Sequence, residues 1–153
     1  ARWHDVPHAP AMREAVAAAC AANRCDFAFL PPGLTLSDFA LVAMDMDSTL
    51  ISIECIDEIA DFAGRKTEVA AITEAAMRGE ITDYKESLRR RVALLEGVPA
   101  TALQSVLDDR LRLNPGAERL VSTARAAGLR TLLVSGGFTF FTDAMRERLA
   151  LDY

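Results

Sequence analysis

Nowhere does this sequence hold the ~20 consecutive apolar residues that a membrane-spanning helix needs, so no membrane partner is expected. Positive charge is in deficit as well. Lys and Arg number 17 against 22 Asp and Glu, a net charge of -5. No basic stripe for nucleic acid is therefore present, and the triplet Arg89-Arg90-Arg91 stands alone. Cysteine is scarce. Cys20, Cys25 and Cys55 are odd in number and form no CxxC, which favours buried thiols in a reducing cytoplasm over disulfides or zinc. The two histidines, His4 and His8, have helical spacing, but Pro7 and their terminal position argue against a metal site. Repeats and low-complexity arrays are missing. The alanine-rich run 15–22 sits between Arg13-Glu14 and Asn23-Arg24, which reads as a surface helix with Met12, Val16, Ala19 and Cys20 on a packing face, not as a signal peptide. The first residue is Ala, not Met, so removal of upstream residues, with any targeting segment, is an expectation. A chain of 153 residues can bury one sizeable core and a small cap.

What the sequence does contain is concentrated at Asp45-Met46-Asp47-Ser48-Thr49. The apolar run Phe39 to Met44 precedes it and reads as a buried strand. Both carboxylates then stand where a strand leaves the sheet, the place where open α/β sheets bind ligands. Two adjacent acids repel and lose hydration, which calls for a cation; Mg²⁺, a hard ion that joins carboxylates to phosphates, is the natural one. The plainer alternative is a turn with Ser48 and Thr49 capping a helix. A second apolar run, Leu129 to Ser135, ends in Gly136-Gly137 before a helical pattern from Phe138. A hydroxyl and glycine amides at a helix start form a phosphate-binding arrangement. The two together favour phosphoryl transfer.

These two stretches resemble the first two motifs of haloacid dehalogenase superfamily phosphatases, and among them the members that act on O-phosphoserine. Further stretches are similar to that group: Glu54 to Ala60, Ala76 to Gly79 and Ser87 to Val92. The likeness runs from about Leu41 to Tyr153 in the right order. The fold it implies is α/β, a partial Rossmann-like core with an inserted helical cap.

The organisation along the chain fits that expectation. Pro31-Pro32-Gly33 reads as a linker after an N-terminal helix, giving a segment 1–33. Core sequence follows at 34–51 and 112–153, the return being marked by Asn114-Pro115-Gly116. Between them, 52–111 holds several helices closed by glycines and is far longer than one crossover helix, so it reads as a cap. The helix from Ala117 to Ala127 ends at Gly128, and the last helix carries Phe141, Met145 and Leu149 on one face.

In the cap helix that starts near Thr82, Tyr84, Leu88, Arg91 and Leu95 fall on one stripe at ~100° per residue. Arg91 is thus drawn toward the interior while Arg89 and Arg90 point away. A buried Arg needs an anion. Either it reaches a cap carboxylate such as Glu54 or Glu58, or its planar fork grips a substrate carboxylate. The resemblance implies the second. It also implies that Glu54 receives the substrate ammonium, that Met77 and Tyr84 shape the pocket, and that Ser135 and the Gly136 amide bind phosphate. Asp45 is then the nucleophile and Asp47 the general acid and base. Mg²⁺ is held by the Asp45 carboxylate, the Asp47 main-chain carbonyl and a later acid.

The implied reaction is hydrolysis of O-phosphoserine to serine, the last step of serine biosynthesis. Two rivals stand beside it: a phosphatase or phosphotransferase of the same superfamily with another small substrate, and an inactive binding or assembly module. The second rests on the family's later lysine and Gly-Asp loop, which have no counterpart here; Lys66 and Lys85 are the only lysines. The chain is therefore expected to be a fragment, weakly active by itself, and to form homo-oligomers through a truncated sheet edge.

Overall fold

The computed structural model describes residues 3, 6 and 9–153, apart from the side chain of Met77. The histidine pair, His4 and His8, and the Met77 side chain thus lie outside the described residues. The chain divides into two compact units, residues 1–38 and 39–153. In the first, helix α1 (Pro10–Ala22) starts on proline, whose fixed φ suits a first helical position, and ends at Asn23, whose side chain donates to the Ala19 carbonyl at 2.8 Å. No residue of α1 is fully buried, so the stripe through Met12 and Val16 forms only a partly shielded surface. Phe27 and Phe29 meet edge to face at 5.9 Å, with the Arg13 guanidinium over the Phe29 ring.

The second unit is built on strands β1 (Leu41–Asp45) and β2 (Arg130–Val134), paired in parallel from Leu41 opposite Arg130 to Asp45 opposite Val134. β1 starts two residues later than its apolar run, because the first ladder bond is the one from the Arg130 N–H to the Ala40 carbonyl, at 2.8 Å. The equal register brings both strands to an end side by side. Along the other edge of β2, the Tyr153 N–H donates to the Thr131 carbonyl at 3.1 Å, and the Leu133 N–H donates to the Tyr153 carbonyl at 2.9 Å. Asp152 secures that run, accepting from the Thr131 N–H and hydroxyl at 2.9 Å each and from Arg130 at 2.6 Å. These donors, Arg130 first, hold its carboxyl down at about 2. The bare edge expected of the sheet therefore lies, among the described residues, beside β1 and not beside β2.

Helices α2 (Cys55–Phe62), α3 (Lys66–Met77), α4 (Tyr84–Ala93) and α5 (Thr101–Ser105) make up the long insert, the last running into a wide turn closed by the Leu111 N–H on the Val106 carbonyl. α4 begins at Asp83, whose carboxylate accepts the Lys85 N–H at 2.9 Å, and carries Arg90 and Arg91 at its negative end. The entry and exit of the insert lie together. Ile51 pairs antiparallel with Leu113, and the Asn114 side chain donates to the carbonyls of Thr49 and Ile51 at 2.8 and 3.1 Å. Within the insert, Ile56, Ala60 and Val69 form a small core, and Arg110 binds both Glu58 and Asp61 at 2.6 Å.

α6 (Ala117–Ala126) gives way to Gly128 at φ +85°, a left-handed conformation that admits glycine freely, and the chain turns into β2. On α7 (Thr139–Leu149), Phe141, Met145 and Leu149 are all buried, as their spacing predicts. They pack into the main core with Met46, Ile51 and Val121. No helix among the described residues is long and apolar enough to cross a membrane.

Candidate active site

Asp45 is the last residue of β1, and one of its oxygens accepts the Met46 N–H at 2.7 Å. Met46 is wholly buried, so the chain dips into the core between the two aspartates. Asp47 then turns toward α2: its Oδ1 accepts the N–H of Cys55, the first residue of that helix, at 3.0 Å. A helix N-terminus favours the negative charge. Ser48 takes the left-handed conformation, φ +52°, and its hydroxyl donates to Glu54 Oε1 at 2.7 Å. The Cys55 thiol is buried, and burial together with the neighbouring Asp47 charge pushes its pKa up. It stays protonated and is no nucleophile.

Ser135 follows β2 directly, and its hydroxyl oxygen accepts the Gly137 N–H at 3.0 Å. A Cβ at Gly137 would stand 2.9 Å from Asp47 Oδ2 and 3.1 Å from the Ser135 hydroxyl. At Gly136 it would collide with the Tyr84 hydroxyl. Each glycine lets another functional group approach the backbone. The turn after β1, the turn after β2 and the start of α4 thus converge. α7 opens just beyond, with no side chain capping it.

Beside this point a cavity of about 320 Å³ is lined by Thr73, Ile81, Tyr84, Ser87 and Arg91, among others. Arg91 is half-buried, as its stripe predicts, whereas Arg89 and Arg90 are exposed. Neither carboxylate suggested for it is engaged there: Glu58 binds Lys66 and Arg110, and Glu54 accepts from Ser48. The Lys66 and Arg110 bonds hold the Glu58 carboxyl low, overcoming the upward effect of burial. A larger groove of about 520 Å³, lined by Leu107, Arg112, Met145 and Arg148, contains none of the candidate site residues.

Among the described residues no three acidic, His or Cys side chains converge as a metal cage. The donors at the end of β1, the Asp45 carboxylate and the Asp47 main-chain carbonyl, are all oxygen and suit part of the shell of a hard divalent cation. Two residues escape sequence reasoning. Ser48 reads as a turn residue, and only the fold brings it to Glu54. Asp57 lies one helical turn after Glu54, a spacing that could have placed both on one face of α2.

Residues 42–153 match the family model of the haloacid dehalogenase-like hydrolases. The chain belongs to that family. Its partial Rossmann-like core with a helical insert is a haloacid dehalogenase fold. A phosphoserine phosphatase of Polaromonas sp. strain JS666 is 70% identical over 122 residues, covering 80% of this chain and 52% of that protein. Among solved structures, a haloacid dehalogenase family hydrolase of Salmonella enterica serovar Typhi is similar with a TM-score of 0.79 at 35% identity, over 95% of this chain and 48% of that one. A phosphoserine phosphatase captured as an analogue of its phospho-aspartyl intermediate gives a TM-score of 0.69 at 38% identity, over 74% of this chain and 54% of its own. The haloacid dehalogenase-like chain spans about half the length of the curated relatives it matches.

Proposed function

We propose that this chain carries the nucleophile, the phosphate loop and the substrate-reading insert of a phosphoserine phosphatase. The observation that carries this reading is the convergence at Gly137, where Asp47 Oδ2 and the Ser135 hydroxyl meet beside the end of β1. In the reaction, an Asp45 oxygen attacks phosphorus and forms an aspartyl-phosphate. Asp47 gives its proton to the departing serine oxygen, then takes one from the water that splits the acyl phosphate. The Cys55 N–H on Asp47 Oδ1 leaves Oδ2, on the Gly137 side, for that proton. Ser135 and the Gly136 amide donate to phosphate oxygens. The unpaired fork of Arg91 takes the substrate carboxylate and Glu54, steadied by Ser48, takes the ammonium, while Tyr84 walls the pocket.

Mg²⁺ held by the Asp45 carboxylate and the Asp47 carbonyl supplies charge neutralisation between nucleophile and phosphate. Residues 52–111 then act as the cap of the core formed by 34–51 and 112–153, and the segment 1–33 is an N-terminal helix and linker. Three free thiols support a reducing, cytoplasmic setting.

The test is an assay of O-phosphoserine hydrolysis with Mg²⁺, combined with beryllofluoride trapping. Asp45→Asn is expected to abolish turnover, and Asp47→Asn to slow it by roughly 10²–10⁴. An adduct on a residue other than Asp45 refutes the reading.

A further inference from the structure

Among the described residues, two buried side-chain polar atoms lack any partner, Asp57 Oδ1 on α2 and Arg91 Nε on α4. Orphaned buried polar atoms are rare because each forfeits its hydration for nothing, so two in one small insert call for a common explanation. Their charges are opposite, and Leu94 and Leu95, just after α4, pack against the cluster that holds Ile56 and Ala60 of α2. Burial pushes the Asp57 carboxyl up, and Arg91 is the foremost charge opposing that push. The other candidates are spoken for. Lys66, the second cation near Asp57, donates to Glu58 at 2.7 Å. Of the neighbouring acids, Glu58 is held by Lys66 and Arg110, and Glu54 by Ser48. Of the two cations acting on Asp57, Arg91 alone is left without a bond.

The two roles of a guanidinium explain why the pair matters. Its Nε–H and its terminal nitrogens point in different directions from one rigid plane. In Arg91 the Nε is the buried orphan, while the side chain lines the cavity beside Tyr84 and Ser87. A carboxylate that takes the Nε–H fixes the plane and aims the terminal nitrogens into the cavity. Without it, the long side chain must give up rotamer freedom at the moment of binding.

We propose that Asp57 is a positioning residue for Arg91, its carboxylate taking the Nε–H once the two side chains turn toward each other and so presetting the guanidinium for the carboxylate of the substrate. The role rests on the reading of Arg91 as the carboxylate-binding group. It assigns Asp57 to specificity and not to the chemical step, since Asp57 reaches the reacting atoms only through Arg91.

The natural gene product carrying Asp57→Asn tests this. KM for O-phosphoserine should rise about tenfold to a hundredfold, the worth of a hydrogen bond between charged groups, with kcat little changed. Hydrolysis of p-nitrophenyl phosphate, which has neither carboxylate nor ammonium, should be unaffected. In an Arg91→Ala background the same substitution should add nothing. Equal losses on both substrates, or additive losses in the double variant, overturn the role. A second measurement needs no substrate. In ¹⁵N-arginine spectra of the unliganded protein, exchange of the Arg91 Nε–H with water should be slow and should quicken in Asp57→Asn. Equally fast exchange in both proteins refutes the pairing. Slow exchange without any preference for O-phosphoserine keeps the pairing and refutes the functional reading instead.

Discussion

Arg91 is the half-buried member of the arginine triplet. Arg89 and Arg90 are exposed, and Arg90 is paired one turn back with Glu86 at 2.8 Å, an exposed contact worth little. Arg91→Ala should therefore weaken turnover of O-phosphoserine by about 2–5 kcal/mol, the cost of removing one partner of a buried charge pair. Arg89→Ala should do almost nothing, and parallel kcat/KM measurements on both variants check the contrast. The placing of Arg91 was legible because helical period alone decides which way a residue faces. Its partner was not, since period says nothing about which acid of another helix will face it. Glu54 and Glu58 were its sequence candidates, and Ser48 holds the first while Lys66 and Arg110 hold the second. The Ser48 bond to Glu54 was hidden for a similar reason: it depends on a left-handed residue in a turn whose shape is set by packing of Met46 and Leu50 on either side.

At the scale of elements, the two strands and the helices that flank β2 followed from apolar runs and their punctuation, but β1, expected to be buried, has no fully buried residue among Leu41–Asp45. Gly128 closes α6, and the face Phe141, Met145 and Leu149 is the buried face of α7. The meeting of Asp47 with Ser135 and Gly137 could be anticipated for the same reason, because parallel strands with level ends deliver both turns to one place. Phe141 is fully buried between the main core and the rings of Phe138 and Phe140. Phe141→Ala should cost about 3–5 kcal/mol of stability through lost burial and the cavity left behind. Urea denaturation measures it. A loss near zero would mean that α7 does not anchor the unit. The short pairing of Tyr153 with β2 left no trace in the sequence pattern, because a run of two residues carries no periodicity.

For the molecule as a whole, that pairing gives acid a point of attack. The Asp152 carboxyl titrates at about 2, below its ordinary 3.8, so its bonds stabilise the fold above pH ~4 and are lost as pH falls through about 2. Asp152→Asn should remove that part of the acid dependence, and melting temperatures measured between pH 2 and 5 should show the two proteins converging at the low end. A second expectation concerns association. Leu41 on β1, Val134 on β2 and the flanking Phe39 and Tyr153 are all substantially exposed. An apolar sheet surface with an unpaired strand beside it recruits other chains. The 153-residue polypeptide should therefore self-associate in sedimentation equilibrium, and Val134→Lys should shift it toward monomer.

The antiparallel bridge between Ile51 and Leu113 has a consequence for how such a molecule can change over time. Because the two ends of the insert are tied together at the sheet, the stretch between them is, to the rest of the fold, a loop already closed. Lengthening a closed loop is cheap, about 0.6 kcal/mol for each doubling. The turns of the insert can then lengthen at little cost to the strands that hold the aspartates, while Cys55, Ile59, Val106 and Leu111 keep the insert packed into the main core. The length of those turns is thereby left free to change at a different rate from the strands, since the junction at Ile51 and Leu113 holds whatever lies between.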